Sequence, residues 1–143
     1  HRIPFSEELE HTRAYLSVEQ ARFEGRLFVD YDMQHTGFSL PPLTLQPIVE
    51  NAVKHGMDPD AESLHIFVRT RETESGSEIT VEDDGSGFDP AGIGKPHSAL
   101  ANLRQRLEMM CGGELEIRSA PGDGTTVKVT IPRSGTDAAA IAE

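Results

Sequence analysis

The sequence predicts an α+β fold in which helices cover one face of a mostly antiparallel sheet. Three observations carry this. Apolar residues recur at helical spacing in three separate stretches, and short segments that alternate apolar and polar residues pair off across tight turns. Between the second helix and the third lies a glycine- and proline-rich stretch too long for an ordinary connection. The order is helix, strand, helix, strand pair, loop, helix, strand pair.

From Ser6 to about Glu24, Leu9, Thr12, Leu16 and Phe23 share a helical face, and acids come early with Arg22 and Arg26 late, as a helix dipole favours. Gly25 is the stop. Leu27 to Met33 is strand-like, closed by the Thr36-Gly37 turn and the Pro41-Pro42 pair. Leu45, Ile48, Val49, Ala52 and Val53 then form an amphipathic stripe that Gly56 ends. Leu64, Ile66 and Val68 alternate, as do Ile79 and Val81, around a Glu74-Ser75-Gly76-Ser77 turn, which predicts an antiparallel hairpin. Asp84 to Ser98 holds Gly85, Gly87, Gly92, Gly94, Pro90 and Pro96 and reads as a lid or binding loop. Leu100, Leu103, Leu107 and Met110 mark a third helix that Gly112-Gly113 terminates. Glu114 to Ser119 and Thr125 to Ile131 are the last strands, across a Pro121-Gly122-Asp123-Gly124 turn. Beyond Pro132 the chain is small and polar, and disorder is expected there.

A chain of 143 residues and 15.6 kDa is the size of one domain. No apolar run approaches the ~18 residues of a membrane span. The single cysteine, Cys111, excludes an intrachain disulfide and fits a reducing compartment. A start at His1 instead of Met, with no signal-peptide pattern, reads as a fragment of a longer protein. The net charge is −11, and Glu72, Glu74, Glu78, Glu82, Asp83, Asp84 and Asp89 share a stretch without one Lys or Arg. Such a surface repels nucleic acid and anionic lipid. A polyanionic ligand therefore needs a small local site of backbone N–H groups, a few cations or a metal.

Period-2 alternation puts Asp83 on the face of Ile79 and Val81, so a carboxylate is aimed into the core and needs a donor from the protein or from a ligand. Thr125 shares its face with Val127, Val129 and Ile131, which sets a hydroxyl beside that acid. On the second helix Asn51, Lys54 and His55 fall on one flank, with Pro47 four residues before Asn51 and Glu50 about 100° away. An amide oxygen is a hard ligand for Mg²⁺ and a lysine is a point charge for phosphate. Gly85 and Gly87 let backbone approach a ligand closely. Neither the G-x-x-x-x-G-K-[ST] pattern nor a strand followed by G-x-G-x-x-G is present, so P-loop and Rossmann readings fall away.

Taken together, Glu50-Asn51-Ala52-Val53-Lys54-His55-Gly56, Asp83-Asp84-Gly85-Ser86-Gly87-Phe88, Leu100-Ala101-Asn102-Leu103-Arg104-Gln105-Arg106-Leu107 and Gly122-Asp123-Gly124-Thr125-Thr126 resemble the GHKL superfamily of ATP-binding domains. The match is closest to LytS-type sensor histidine kinases, whose hallmarks also include Tyr15-Leu16, Glu19, Arg22-Phe23 and Leu45-Gln46-Pro47. The resemblance runs from about Phe5 to Pro132. It implies the two-layer α/β sandwich of the Bergerat fold, with ATP between the Asn-bearing helix and a lid.

The same resemblance implies that Asp83 reads the adenine amine, with Thr125 nearby through water, that Asn51 ligates Mg²⁺, that Lys54 meets phosphate, and that His55 lines the nucleotide. Gly85, Gly87, Leu100, Asn102 and Gly124 complete the implied nucleotide set, and Asn51 with Glu50 the catalytic pair. It divides the chain into a linker helix from the dimerisation region (1–25), the catalytic ATP-binding domain (26–133) and a disordered tail (134–143). The implied protein is a membrane-anchored homodimer that passes phosphate from ATP to a histidine of its dimerisation helices, and thence to a response regulator, with this domain cytoplasmic. An anti-sigma-type serine kinase and a non-catalytic nucleotide-binding module are the alternatives.

Departures from the family pattern are Asp84 where Asn is common, Ala99 where Gly precedes Leu100, and Pro47 where hydrolytic relatives carry Glu. None of His1, His11, His35, His55, His65 or His97 lies in the family's Pro-His-Phe-Leu-x-Asn phosphoacceptor context.

Overall fold

The computed structural model describes residues 1–57, 60–87 and 98–134. Its five-stranded sheet contains β2 (Leu27–Met33), β4 (Leu64–Glu72), β5 (Gly76–Asp83), β6 (Glu114–Ser119) and β7 (Thr125–Pro132), in the order β2-β4-β5-β7-β6. A two-stranded ribbon pairs β1 (Ile3–Pro4) with β3 (Ser39–Leu40). The helices are α1 (Phe5–Arg22), α2 (Leu45–Gly56) and α3 (Ala99–Cys111), with α2 packed against both of the others. β2 and β4, joined by a crossover through α2, are parallel, and the other neighbours in the sheet are antiparallel. The expected mostly antiparallel sheet under helices is therefore the fold found. The ribbon was not foreseen, since two residues carry no period. Residues 88–97 of the loop expected over Asp84 to Ser98, and 135–143 of the tail expected over 134–143, lie outside the described residues.

Strand alternation sets the layers. Leu64, Ile66, Val68, Ile79, Val81, Val127, Val129 and Ile131 point to the helices and are buried with Ile48, Val49, Leu103 and Leu107 in one core. Phe5 and Leu16 of α1 belong to the same core. The opposite face of the sheet is charged, with Arg69 between Asp32 and Glu82, and Arg71 and Lys128 both on Glu78.

The start of α2 is held from both sides by polar side chains that lie outside the apolar periods of their helices. Glu8 of α1 is buried, and its two oxygens accept hydrogen bonds from the backbone N–H of Thr44 at 2.7 Å and of Leu45 at 2.6 Å. These are donors that a helix leaves without an internal partner. Burial pushes the Glu8 carboxyl above its ordinary range, against the pull of those amides and of Arg106. From α3, Arg106 donates to the carbonyls of Pro42, at 2.6 Å, and Leu43. Leu43 lies between these two grips with φ +59°, a left-handed conformation uncommon for leucine.

Replacing Glu8 by alanine strands two buried amides, so Glu8→Ala is expected to cost about 2–4 kcal/mol in urea unfolding, and Glu8→Gln, which keeps one acceptor, clearly less. Equal losses for the two variants would mean that Glu8 acts by packing alone.

Candidate nucleotide site

The site forms where α2 ends beside the last residues of β5. Gly56 ends the helix against Leu64, and a Cβ on Gly56 would lie 2.5 Å from Leu64 Cδ1. A Cβ on Gly85 would lie 3.1 Å from the Gly56 Cα and 2.9 Å from Asp83 Oδ1. Two glycines in contact thus bring the flank of α2 and the acid of β5 to one corner. A third, Gly124, has φ +72°, and a Cβ there would lie 2.4 Å from the Asp83 carbonyl oxygen. The turn before β7 therefore crosses close over the end of β5.

Asp83 faces inward, as alternation requires, in register with Ile66 on one side and Thr125 on the other. Its Oδ1 accepts the Gly85 N–H at 2.9 Å. Among the described residues the other carboxylate oxygen has no hydrogen-bond partner. Burial pushes this carboxyl from the ordinary 3.8 up to about 6, the Gly85 N–H lowers it, and the neighbouring charge of Asp84 adds to the rise. Thr125 is buried, and its hydroxyl lies 2.8 Å from Ser119 Oγ, a partner that no period in the sequence signals.

On α2, Asn51 is half-buried while Lys54 and His55 are exposed in the last turns. The Asn51 amide makes no hydrogen bond among the described residues. Glu50 is turned elsewhere: its Oε1 accepts from Gln46 Nε2 at 2.9 Å, and its charge, with burial and Glu19, pushes Tyr15 on α1 up to about 12. A half-buried, unpartnered amide oxygen suits a hard cation. No group of three or more His, Cys, Asp or Glu side chains that could hold a metal occurs among the described residues.

Three of the residues expected at the nucleotide make contacts within the protein. Gly87 (φ +72°) approaches protein, since a Cβ there would lie 2.0 Å from the Ala120 carbonyl oxygen, and the Ser86 carbonyl accepts the Gly122 N–H. Leu100 is buried in the core. Asn102 is exposed in the first turn of α3, where its N–H bonds the Ser98 carbonyl. Ser98, absent from the expected set, caps that helix by accepting the Ala101 N–H at 3.3 Å. A serine just before an apolar period is the signal that could have found it.

A cavity of about 600 Å³ lies at the opposite end of β4 and β5, beside Arg71, Glu72, Thr73, Glu74 and Arg133. Its arginines are paired with Glu78 and Glu72, so it has no free cation for an anion.

Helices over one face of a mixed sheet, with an inward acid and an amide-bearing helix flank at one corner, define a small-ligand domain of the α+β class. The chain belongs to the histidine kinase-, DNA gyrase B- and HSP90-like ATPase family, whose model matches residues 42–135. Nucleotide binding comes with that membership. The sensor protein LytS of Staphylococcus saprophyticus is 35% identical over 144 residues, covering 91% of this chain and 24% of that protein. The sensor histidine kinase YesM of Bacillus subtilis is 32% identical over 137 residues, covering 91% of this chain and 24% of that protein. The chain spans about a quarter of the length of these relatives and 49% of YwpD, also of Bacillus subtilis.

Among solved structures, the catalytic domain of histidine kinase ThkA has the same fold, with a TM-score of 0.75 at 13% identity over 96% of this chain and 97% of that one. The histidine kinase domain of a blue-light activated kinase from Erythrobacter litoralis gives 0.71 at 22% identity, over 95% of this chain and 64% of that one.

Asp83 also sets a pH-dependent cost. Its folded pKa is raised, so its contribution to stability is fully present below the ordinary 3.8 and lost as pH rises through about 6. Asp83→Asn is therefore expected to stabilise the fold at pH 7 by roughly 2 kcal/mol and hardly at pH 3.5, measured by denaturant unfolding at both values.

Proposed function

We propose that this chain is the catalytic ATP-binding domain of a two-component sensor histidine kinase, which transfers the γ-phosphoryl of Mg-ATP to a histidine on dimerisation helices for relay to a response regulator. The observation that carries this reading is the convergence at one corner of an inward carboxylate with an unused oxygen and a helix flank carrying an amide and an ammonium. Asp83 accepts the adenine amine, Asn51 ligates Mg²⁺, Lys54 meets phosphate and His55 lines the nucleotide. Gly85, Gly87, Leu100, Asn102, Gly124 and Thr125 shape the rest of the site. Mg²⁺ supplies neutralisation of phosphate charge when bound. The protein's part is to hold the donor phosphate in line with its acceptor. Glu50, on the flank of α2 turned to α1, acts on the incoming histidine.

The whole protein is a membrane-anchored homodimer, and residues 1–25 lead from its dimerisation region into the domain at 26–133, with 134–143 as a tail. What supports this is the likeness to LytS and YesM, whose names describe sensor proteins. Among the described residues no helix is long and apolar enough to cross a membrane.

Calorimetry on the wild type tests the site. ATP is expected to bind more tightly with Mg²⁺ than without, and Asn51→Ala to abolish that difference while keeping most of the affinity for adenosine. Equal loss for both ligands would make Asn51 a structural residue. With γ-labelled ATP the chain is expected to bind nucleotide without labelling itself, because no histidine here has the acceptor context, and to accept a dimerisation segment added in trans as the labelled partner. Hydrolysis is expected to be slow, since Pro47 offers no general base. Fast phosphate release would favour an ATPase instead.

A further inference from the structure

The end of β5 is finished by side chains on the far side of the sheet from the nucleotide corner. Asp84 is the next residue after Asp83, and alternation turns it to the outer face, together with His65 of β4. The Asp84 N–H bonds the His65 carbonyl at 3.2 Å, as an antiparallel ladder would continue. The return bond is different. The His65 N–H donates to the Asp84 carboxylate Oδ1, at 2.7 Å. The second carboxylate oxygen, Oδ2, lies 2.9 Å from His65 Nδ1. One carboxylate thus replaces a ladder carbonyl and is gripped by main chain and ring of a single residue. The imidazole is itself stacked on Phe28 of β2, with centroids 4.8 Å apart and planes at 14°.

At this residue the main chain leaves the sheet and turns to Gly85, which touches Gly56 of α2. A strand end that departs from its ladder frays unless something replaces the missing bond. Here the replacement is made by a side chain one residue from Asp83, on the outer face of the sheet, while the Asp84 main chain lies against Gly124.

We propose that His65 is a positioning residue for adenine recognition: through Asp84 it pins the end of β5 and so sets where Asp83 presents its free oxygen. The proposal rests on Asp83 being the adenine-reading carboxylate. If the pinned arrangement is the binding-competent one, losing the ring bond lowers its population, and the apparent dissociation constant rises in inverse proportion. A hydrogen bond to a charged group is strong enough for about a tenfold effect. Asparagine at position 65 keeps a donor near the place of Nδ1, so it should restore the grip without an aromatic ring.

The test is calorimetric titration of wild type, His65→Ala, His65→Asn, Asp84→Ala and Phe28→Ala with ADP and ATP, alongside their unfolding midpoints. His65→Ala and Asp84→Ala are expected to weaken both nucleotides about tenfold. His65→Asn is expected to bind within about twofold of wild type, and Phe28→Ala, which removes only the stacking, to bind unchanged. Should His65→Ala fail to fold, the contrast between His65→Asn and Asp84→Ala carries the same comparison. Wild-type affinity in Asp84→Ala, or affinity in His65→Asn as weak as in His65→Ala, would overturn the proposal while leaving the adenine site intact. So would an equal loss in Phe28→Ala, which would reduce the effect to packing. A wild type that binds neither nucleotide would overturn the adenine reading itself, and this proposal with it.

Discussion

Backbone must approach backbone at one corner of the sheet, and everything that makes the corner a site depends on that. A Cβ on Gly124 would collide with the Asp83 carbonyl, one on Gly85 would crowd the Gly56 Cα, and one on Gly56 would push the end of the Leu64 side chain aside. A methyl group at Gly85 would press on both α2 and the Asp83 carboxylate, so it would widen the gap between the Asn51 flank and the acid. The glycines lower helix and strand propensity locally and gain closeness in return. Gly87 extends the same seam outward, where it lies on the Ala120 carbonyl at the start of the loop that follows.

Two carboxylates are drawn into this domain, and their surroundings separate their roles. Glu8 spends both oxygens on the amides at the start of α2, so its charge is used up by the fold. Asp83 receives one amide and keeps an oxygen, at a burial that disfavours its charged form. A buried acceptor with unspent capacity is a cost to folding and a resource for binding. The outer face of the sheet carries exposed pairs such as Arg69 with Glu82, which contribute little to stability. The overall −11 therefore says little about the site, where local donors decide.

Both ends of α2 are placed by other elements. Its start is gripped by Glu8 and Arg106, and its end rests on Gly85, so the helix that carries Asn51, Lys54 and His55 is positioned by α1, α3 and β5 together. α1 in turn contributes Phe5 and Leu16 to the shared core. A shift of α1 would therefore be felt at the start of the helix that bears the site, through a buried polar junction with few alternative arrangements.

The three helices, the long strands, the hairpin and the inward direction of Asp83 were legible along the chain, because period and turn chemistry are local and survive without a neighbour. So was the helix flank that Asn51, Lys54 and His55 share, since 100° per residue is a property of the helix alone. The burial of Glu8, the pairing of Ser119 with Thr125 and the hold of His65 on Asp84 came instead from packing between elements. So did the approach of Gly87 to protein backbone and the pairing of β1 with β3. Each of these joins residues far apart in the chain or rests on which elements happen to be neighbours, and a pattern along one strand or helix holds no record of what packs across from it.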